Sequence, residues 1–250
     1  MNTSIKKQCK KLNQILDINS DCDWTFLNYS KVGKGLNGYT LRCCCNGECK
    51  YVVKVLPNQK LHLIEREIKM QNNFSDLDIA PKILDAFSCD DNVYIVMESL
   101  DQTVKDFLLK LQQTTSDSQL ISVIEFLQNQ TIELVKRAHH YGLAHLDLHL
   151  DNVMIKFDDQ GNFNRLYLID FGKSLQYKTQ QEADIEESYD DIKLSFNMYK
   201  RKNNRISPQK LYKKTIKSPK KINEKEYKTP NKKLSFEDDD EFSNVSRSLF

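Results

Sequence analysis

The segment HLDLHLDN at residues 145–152, followed by DFG at residues 170–172, decides the fold of this chain. The first segment contains a carboxylate, Asp147, that can orient and deprotonate an acceptor hydroxyl. Asn152 and Asp170 are hard oxygen ligands of the kind that hold Mg²⁺ on phosphate groups. The order and spacing of these residues predict phosphoryl-transfer chemistry.

A glycine-rich segment lies upstream, inside a predicted β-hairpin. Glycines allow the backbone to approach a triphosphate closely because no Cβ intervenes. A Walker A loop would need Lys directly after the last glycine, but Tyr39 occupies that position. A Rossmann loop would be followed by a helix, but the pattern here predicts a strand. Both alternatives fail on context. The segment reads Val32, Gly33, Lys34, Gly35, Leu36, Asn37, Gly38, Tyr39, Thr40.

Lys54 is embedded in the apolar strand pattern YVVKV, sixteen residues after Gly38. A cation among apolar residues is costly unless it has an anionic partner. Glu67, on the following predicted helix, is the preferred partner, and Glu65 is the alternative. Taken alone, the pattern favours a structural ion pair. Its place between the glycine-rich segment and the HLDLHLDN segment favours a phosphate-binding lysine instead.

In this order, the motifs resemble those of the protein-kinase superfamily: glycine-rich loop, strand lysine, helix glutamate, catalytic loop and DFG. The resemblance covers residues 32–172. It implies a bilobal α+β fold with a small β-rich N-lobe at about residues 27–98 and a helical C-lobe at about residues 99–199. No APE motif follows Gly172, so the C-lobe is expected to be shortened, as in kinases of large DNA viruses.

The resemblance also implies catalytic roles. Asp147 would be the acceptor-orienting base, and Lys54, paired with Glu67, would hold the α- and β-phosphates of ATP. Asn152 and Asp170 would bind Mg²⁺.

Nucleotide contacts are implied for the glycine-rich segment, for the strand that carries Lys54 and for the hinge between the lobes. His145 would pack behind the DFG backbone rather than act as a base. The implied cofactor-binding residues are Val32, Gly33, Lys34, Gly35, Leu36, Asn37, Gly38, Tyr39, Thr40, Val52, Lys54, Glu98 and Leu100.

Three positions depart from the family pattern, and one of them, His149, leaves the class of the phosphate acceptor open. Leu146 replaces the arginine that reads a phosphorylated activation loop, and Thr40 replaces a valine beneath the nucleotide. His149 replaces the usual lysine near the transferred phosphate and is a further catalytic candidate; it is similar to the histidine of haspin-like kinases and of aminoglycoside and choline kinases. A serine/threonine protein kinase is the preferred interpretation. A small-molecule kinase and a pseudokinase scaffold are the alternatives.

Periodicity predicts the remaining elements. Strands are expected before and after the Asn46-Gly47 turn and at an apolar run, NVYIVM, and a further hairpin is expected at Gly161. The predicted strands cover Leu27–Cys45, Lys50–Leu56 and Asn92–Met97, and the predicted helices cover Leu61–Asn72, Ser118–Tyr141 and Ile185–Tyr199.

Charge is distributed unevenly along the chain. Residues 200–234 carry 14 Lys/Arg and 2 acids, residues 235–250 carry 1 and 5, and the other 199 residues carry 22 and 28. Apolar residues are sparse after Tyr199, which predicts a disordered tail over residues 200–250. Residues 1–26 are treated as an N-terminal extension. The basic part of the tail is expected to bind nucleic acid without sequence preference.

The seven cysteines are expected to be reduced thiols rather than metal ligands, with a local Cys44–Cys49 bridge as the alternative. No apolar run approaches the roughly 18 residues that a membrane span needs, and the Lys-rich start does not resemble a secretion signal. The chain is expected to lie inside the cell, in the cytoplasm or nucleus, or in a host cell or virion if it is viral, and to have no membrane partner.

Overall fold

The computed structural model describes residues 3–4, 10–11, 22–34, 38–89 and 91–200. Its first half is a sheet with one helix. The elements are β1 (Thr3–Ser4), β2 (Lys10–Lys11), β3 (Trp24–Lys34), β4 (Tyr39–Cys45), β5 (Glu48–Pro57), α1 (Leu61–Ser75), β6 (Ile83–Cys89) and β7 (Asn92–Glu98).

The strands form one antiparallel sheet in the order β1-β3-β4-β5-β7-β6-β2. The predicted hairpin at Asn46-Gly47 is confirmed, and both turn residues have positive φ, +48° and +88°. One face buries an apolar cluster that includes Trp24, Phe26 and Val53. Alternation of buried residues along the strands therefore sets which face meets the core.

Helix α1 packs on this sheet and also reaches the second half of the chain. Ile64 and Ile68 belong to a cluster with sheet residues, whereas Met70 and Phe74 belong to the larger core of the second half. The helix thereby links the two lobes. It is three residues longer at its C-terminal end than predicted, ending at Ser75.

The second half is mainly helical. It contains β8 (Gln102–Thr103), α2 (Val104–Thr114), α3 (Asp117–His140), β9 (Leu143–Ala144), β10 (Val153–Phe157), β11 (Phe163–Leu168), a 3₁₀ turn (Phe171–Lys173), β12 (Leu175–Gln176), α4 (Gln180–Glu186) and α5 (Tyr189–Asn197).

Helix α3 is the longest helix of the described chain and forms the centre of this lobe. It begins with a capping box, in which Ser116 and Gln119 satisfy each other's backbone amides. The predicted stop at Gly142 is confirmed: its φ is +70°, and an added Cβ would lie 2.4 Å from the backbone oxygen of Tyr177. The predicted hairpin at Gly161 is also confirmed.

The predicted helix over residues 185–199 is wrong in its bounds. The structure has two helices, α4 and α5, separated by the extended residues Glu187 and Ser188. Ser188 caps α5 by accepting from the amide of Asp190. The break has a physical reason, because the Glu187 side chain turns inward while a continuous amphipathic helix would keep its charged residues outside.

Cysteine pairing also differs from the expectation of reduced thiols. Cys22 is bonded to Cys45 and Cys44 to Cys49, and Cys89 is also disulfide-bonded, while Cys43 is buried and free. The alternative pairing across the hairpin is therefore the correct one for Cys44. Burial raises the pKa of the Cys43 thiol to about 12.

Together these elements form the expected α+β fold, with a β-rich N-lobe and a helical C-lobe. Within the described residues, no helix is long and apolar enough to cross a membrane. The tip of the glycine-rich segment, Gly35, Leu36 and Asn37, lies outside the described residues, as do most of the N-terminal extension and the tail from residue 201.

Candidate functional site

The two described ends of the glycine-rich segment lie on paired strands, β3 and β4, and β4 also pairs with the strand that carries Lys54. Val32, Gly33 and Lys34 end β3, and Gly38 precedes Tyr39 and Thr40 at the start of β4. In the sheet register, Thr40 is opposite both Gly33 and Lys54. This register brings the described part of the segment beside the lysine.

Gly38 is required by close backbone approach. A Cβ at this position would lie 2.1 Å from the backbone oxygen of Val55, a distance at which the backbone would have to move. The glycine therefore allows β4 to enter the sheet immediately after the segment, directly above β5.

Lys54 makes two ion pairs that join the lobes. Its Nζ lies 2.6 Å from Glu67 Oε1 on α1 and 3.3 Å from Asp170 Oδ1. Burial by itself lowers the pKa of this lysine, but the two carboxylates outweigh burial, and the pKa is raised. Lys54 is thus held as a cation beside Asp170. The alternative partner, Glu65, has no contact of this kind with Lys54 in the described residues.

The predicted hinge lies next to Val52. The register sets Val52 opposite Met97, and Tyr51 opposite Glu98. Glu98 is exposed and Leu100 is half-buried just after β7. The hairpin, Lys54 and the hinge therefore surround one region between the lobes.

Asp170 has an unusual backbone conformation, with φ +68° and ψ +74°. The next residue, Phe171, is buried and packs between Phe74 and His145, with ring centroids 4.7 Å and 5.1 Å away. Because Phe171 is anchored in the core, the left-handed turn at Asp170 directs its carboxylate toward Lys54.

His145 lies where the sequence predicted, behind the DFG segment. Its side chain is fully buried, and Nε2 donates to the backbone oxygen of Ile169 at 2.9 Å. A histidine with its Nε2 proton committed to a carbonyl in the core is a packing residue rather than a base.

The loop between β9 and β10 carries Asp147, His149 and Asn152. Asn152 Nδ2 donates to the backbone oxygen of Asp147 at 3.0 Å and lies 3.1 Å from His149 Nε2. Since an amide nitrogen can only donate, His149 Nε2 is an acceptor. Burial lowers the pKa of His149, although Asp147 and Asp151 oppose this effect. His149 is therefore held as a neutral imidazole.

Asn152 and Asp170 are suited to Mg²⁺. The backbone oxygen of Asn152 accepts from the amide of Ile169 at 3.0 Å, which sets Asn152 next to the residue preceding Asp170. The amide nitrogen of Asn152 is committed to the loop, so its oxygen is the atom available to a metal. An amide oxygen with a carboxylate is a hard donor set. No cluster of three or more His, Cys, Asp or Glu side chains among the described residues offers another metal site.

Sequence reasoning missed Lys173, which follows DFG directly. Its Nζ lies 2.7 Å from Asp147 Oδ1. An exposed lysine in a charged sequence gives no signal of its own, and only the turn after Asp170 brings it to Asp147.

Sequence reasoning also missed Glu187, whose buried side chain holds the start of the catalytic loop through two backbone amides. Glu187 accepts hydrogen bonds from the amides of His145 (3.0 Å) and Leu146 (2.8 Å) and lies 3.1 Å from His139 Nε2. Burial raises the pKa of this carboxyl, but the bonds from His139 and from the loop amides outweigh burial and the pKa is lowered. The ion pair and hydrogen bonds therefore keep a buried charge beneath the loop.

His139, near the C-terminal end of α3, bridges two carboxylates. Its Nδ1 lies 2.7 Å from Asp184 Oδ1, opposite the contact with Glu187. Burial lowers the pKa of His139, but the hydrogen bonds to the two carboxylates outweigh burial, so the pKa is raised. The side chain is fully buried, so these two carboxylates are the groups that stabilise its protonated form.

Comparison with known proteins agrees with this arrangement. A family model of the protein kinase domain matches residues 26–225. CDPK-related kinase 5 of Arabidopsis thaliana is 30% identical over 159 residues, which cover 58% of this chain and 25% of that protein. A probable casein kinase I homolog of Encephalitozoon cuniculi is 26% identical over 168 residues, covering 63% and 48% of the two chains.

A third relative is calcium/calmodulin-dependent serine/threonine-protein kinase 1 of Oryza sativa subsp. japonica, 27% identical over 155 residues, 58% of this chain and 25% of that protein. The chain thus spans between a quarter and a half of the length of these relatives. Since the family model covers most of the chain and the fold and motif geometry agree with it, this chain belongs to the protein kinase domain family.

Proposed function

We propose that this chain is an ATP- and Mg²⁺-dependent serine/threonine protein kinase. The observation that carries the proposal is the pair of contacts from Lys54 Nζ to Glu67 and Asp170, made while Asp147 and Asn152 are fixed on one loop. The phosphate-binding lysine, the acceptor-orienting carboxylate and both metal ligands are all present, which argues against a pseudokinase scaffold.

Each residue has a defined task in this proposal. Lys54 donates to the α- and β-phosphates, and the glycine-rich hairpin covers them. Asp147 orients the acceptor hydroxyl and takes its proton. Mg²⁺, held by Asn152 and Asp170, would neutralise charge on the phosphates. Val52, Glu98 and Leu100 surround the adenine.

Protein acceptors are supported by the names of the relatives, one of which is a serine/threonine-protein kinase by name. A second candidate is a small-molecule kinase. It is favoured because position 149 holds a neutral histidine, hydrogen-bonded to Asn152, where protein kinases usually have a lysine. The same assay distinguishes the two candidates.

The test is phosphate transfer by the full chain from γ-labelled ATP with Mg²⁺. Casein, histone and myelin basic protein are offered in one arm, and choline and kanamycin in the other. We expect label on serine and threonine of the proteins, detected by phosphoamino-acid analysis. Label confined to the small alcohols would favour the second candidate.

The Asp147→Asn variant is the control for chemistry. It should transfer phosphate roughly 10²- to 10⁴-fold more slowly while binding ATP normally, because a positioned acid or base contributes about that factor. Equal rates in the two proteins, or no transfer by the wild type, would contradict the proposal.

A further inference from the structure

Among the ion pairs of the described residues, Lys173 is the cation paired with the acceptor-orienting carboxylate. Its Nζ contacts Asp147 Oδ1 at 2.7 Å, and its side chain is 66% exposed. It also follows Asp170 by three residues, on the 3₁₀ turn that begins at Phe171. The ammonium group therefore lies at Asp147, on a turn that follows directly from Asp170, the residue assigned to the metal.

Two other lysines that the structure describes near this loop are committed to other carboxylates. Lys54 is paired with Glu67 and Asp170, and Lys105 Nζ lies 2.9 Å from both carboxylate oxygens of Asp151. The Nε2 atom of His149 is occupied by its hydrogen bond with the amide of Asn152.

Among the described residues, the lysine paired with Asp147 therefore lies outside the loop that carries Asp147. An exposed lysine on a flexible four-carbon stem can move its ammonium group over several ångströms without disturbing the core. A carboxylate contact at one oxygen only, Oδ1, leaves Oδ2 to the acceptor hydroxyl.

We propose that Lys173 is a catalytic residue whose ammonium group, held at Asp147, contacts the phosphoryl group during its transfer. The proposal rests on the proposed kinase function. It assigns the site a cation supplied by the segment after DFG rather than by the loop that carries Asp147.

In the transfer step, the acceptor oxygen forms a bond to the γ-phosphorus while the bond from that phosphorus to the β–γ bridging oxygen breaks. The electron pair of the broken bond leaves with ADP, and the hydroxyl proton passes to Asp147 Oδ2. Lys173 remains protonated throughout and donates hydrogen bonds to a non-bridging phosphoryl oxygen, where negative charge is carried in the transition state.

The test compares Lys173→Met, which keeps the length of the stem without the charge, with Lys178→Met, an exposed lysine of the same segment whose side chain is not part of the site. Transfer rates are measured at saturating ATP, and equilibrium affinities for Mg²⁺–ATP and Mg²⁺–ADP are measured by calorimetry. Thermal unfolding of each variant reports on folding.

We expect Lys173→Met to lower kcat by roughly ten- to a hundredfold, the range for loss of a hydrogen bond to a charged group. Its affinity for ATP should fall about two- to fivefold, as for an exposed ion pair, with the affinity for ADP unchanged. Adding His149→Lys to this variant should restore part of kcat. Lys178→Met should behave as the wild type.

A wild-type rate in Lys173→Met would overturn the proposal while leaving the kinase function intact, and a faster rate would overturn it by identifying the ammonium as a block on Asp147. An equal loss of ATP and ADP affinity, with no recovery of kcat when His149→Lys is added, would also overturn the proposal and indicate a structural role for Lys173. If the wild type transfers no phosphate, the proposed function fails, and the ATP-against-ADP difference alone then decides whether Lys173 contacts the γ-phosphate.

Discussion

Glu187 Oε1 accepts a hydrogen bond from the backbone amide of Leu146 at 2.8 Å, and Leu146 is held at φ +61°. A leucine in the left-handed region is strained by roughly 1–2 kcal/mol. The second oxygen of Glu187 accepts from His145, the preceding residue. The buried carboxylate thus stabilises a backbone turn that presents Asp147, the next residue, to the site.

Replacing Glu187 with Ala should lower the free energy of unfolding by about 3–5 kcal/mol, because it removes one of the two carboxylate partners of His139 and the acceptor of two loop amides in the core. Urea denaturation measures the change, and Glu186→Ala, at the exposed neighbouring position, is the matched control. A loss of no more than about 0.5 kcal/mol, as at ordinary surface positions, would show that the anchor is not needed.

Stability should depend on pH through His139. Its pKa is raised in the fold above the ordinary value of 6.5, so the folded state binds the proton more tightly than the unfolded state. The resulting stability is fully present below pH 6.5 and is lost as the pH rises through the higher folded pKa. The melting temperature should therefore fall over that interval.

In His139→Gln this pH-dependent loss should disappear, whereas His140→Gln, at the exposed adjacent position, should keep it. Melting curves from pH 6 to 9 in matched ionic strength provide the comparison. Parallel curves for wild type and His139→Gln would mean that another group is responsible.

Removing the carboxylate of Asp170 should weaken nucleotide binding that depends on Mg²⁺. In Asp170→Ala, the gain in ADP affinity on adding Mg²⁺ should shrink by roughly tenfold or more, since a ligand to the metal is lost. Binding in EDTA should change much less. Asp159→Ala, in an exposed turn, is the control. An undiminished Mg²⁺ effect in Asp170→Ala would assign the metal to other ligands.

The basic tail, outside the described residues, carries Ser207, Ser218 and Thr229, each followed by Pro and, two residues after Pro, by Lys. We expect residues 200–234 to bind duplex or single-stranded nucleic acid without sequence preference. Affinity should drop by about a thousandfold between 50 and 200 mM salt if about six phosphates are contacted. Changing the three hydroxyl residues to Glu should weaken binding further, because it removes net positive charge.

Fluorescence anisotropy with labelled oligonucleotides tests this prediction. The triple Ala variant, which keeps the charge, is the control for the triple Glu variant. No association at low salt would mean that the tail is only a solvated appendage.

The sequence was sufficient for the features that depend on neighbours along the chain. Turn residues such as Asn46 and Gly161, the stop at Gly142 and the apolar strand around Lys54 all rest on local conformational preferences. The motif order then predicted the two lobes, and the contact of Lys54 with Glu67 followed because the strand and the next helix are adjacent in the chain.

Tertiary structure alone decided the contacts between distant charged residues. Glu187 meets the loop amides across about forty residues of chain, and Lys173 meets Asp147 across 26. The disulfide between Cys22 and Cys45 likewise depends on the pairing of β3 with β4. A carboxylate or an ammonium has the same local signature on a solvated helix as in a buried cluster. Its role is fixed only when the fold supplies a partner of opposite charge and, at Glu187, also removes water from the carboxylate.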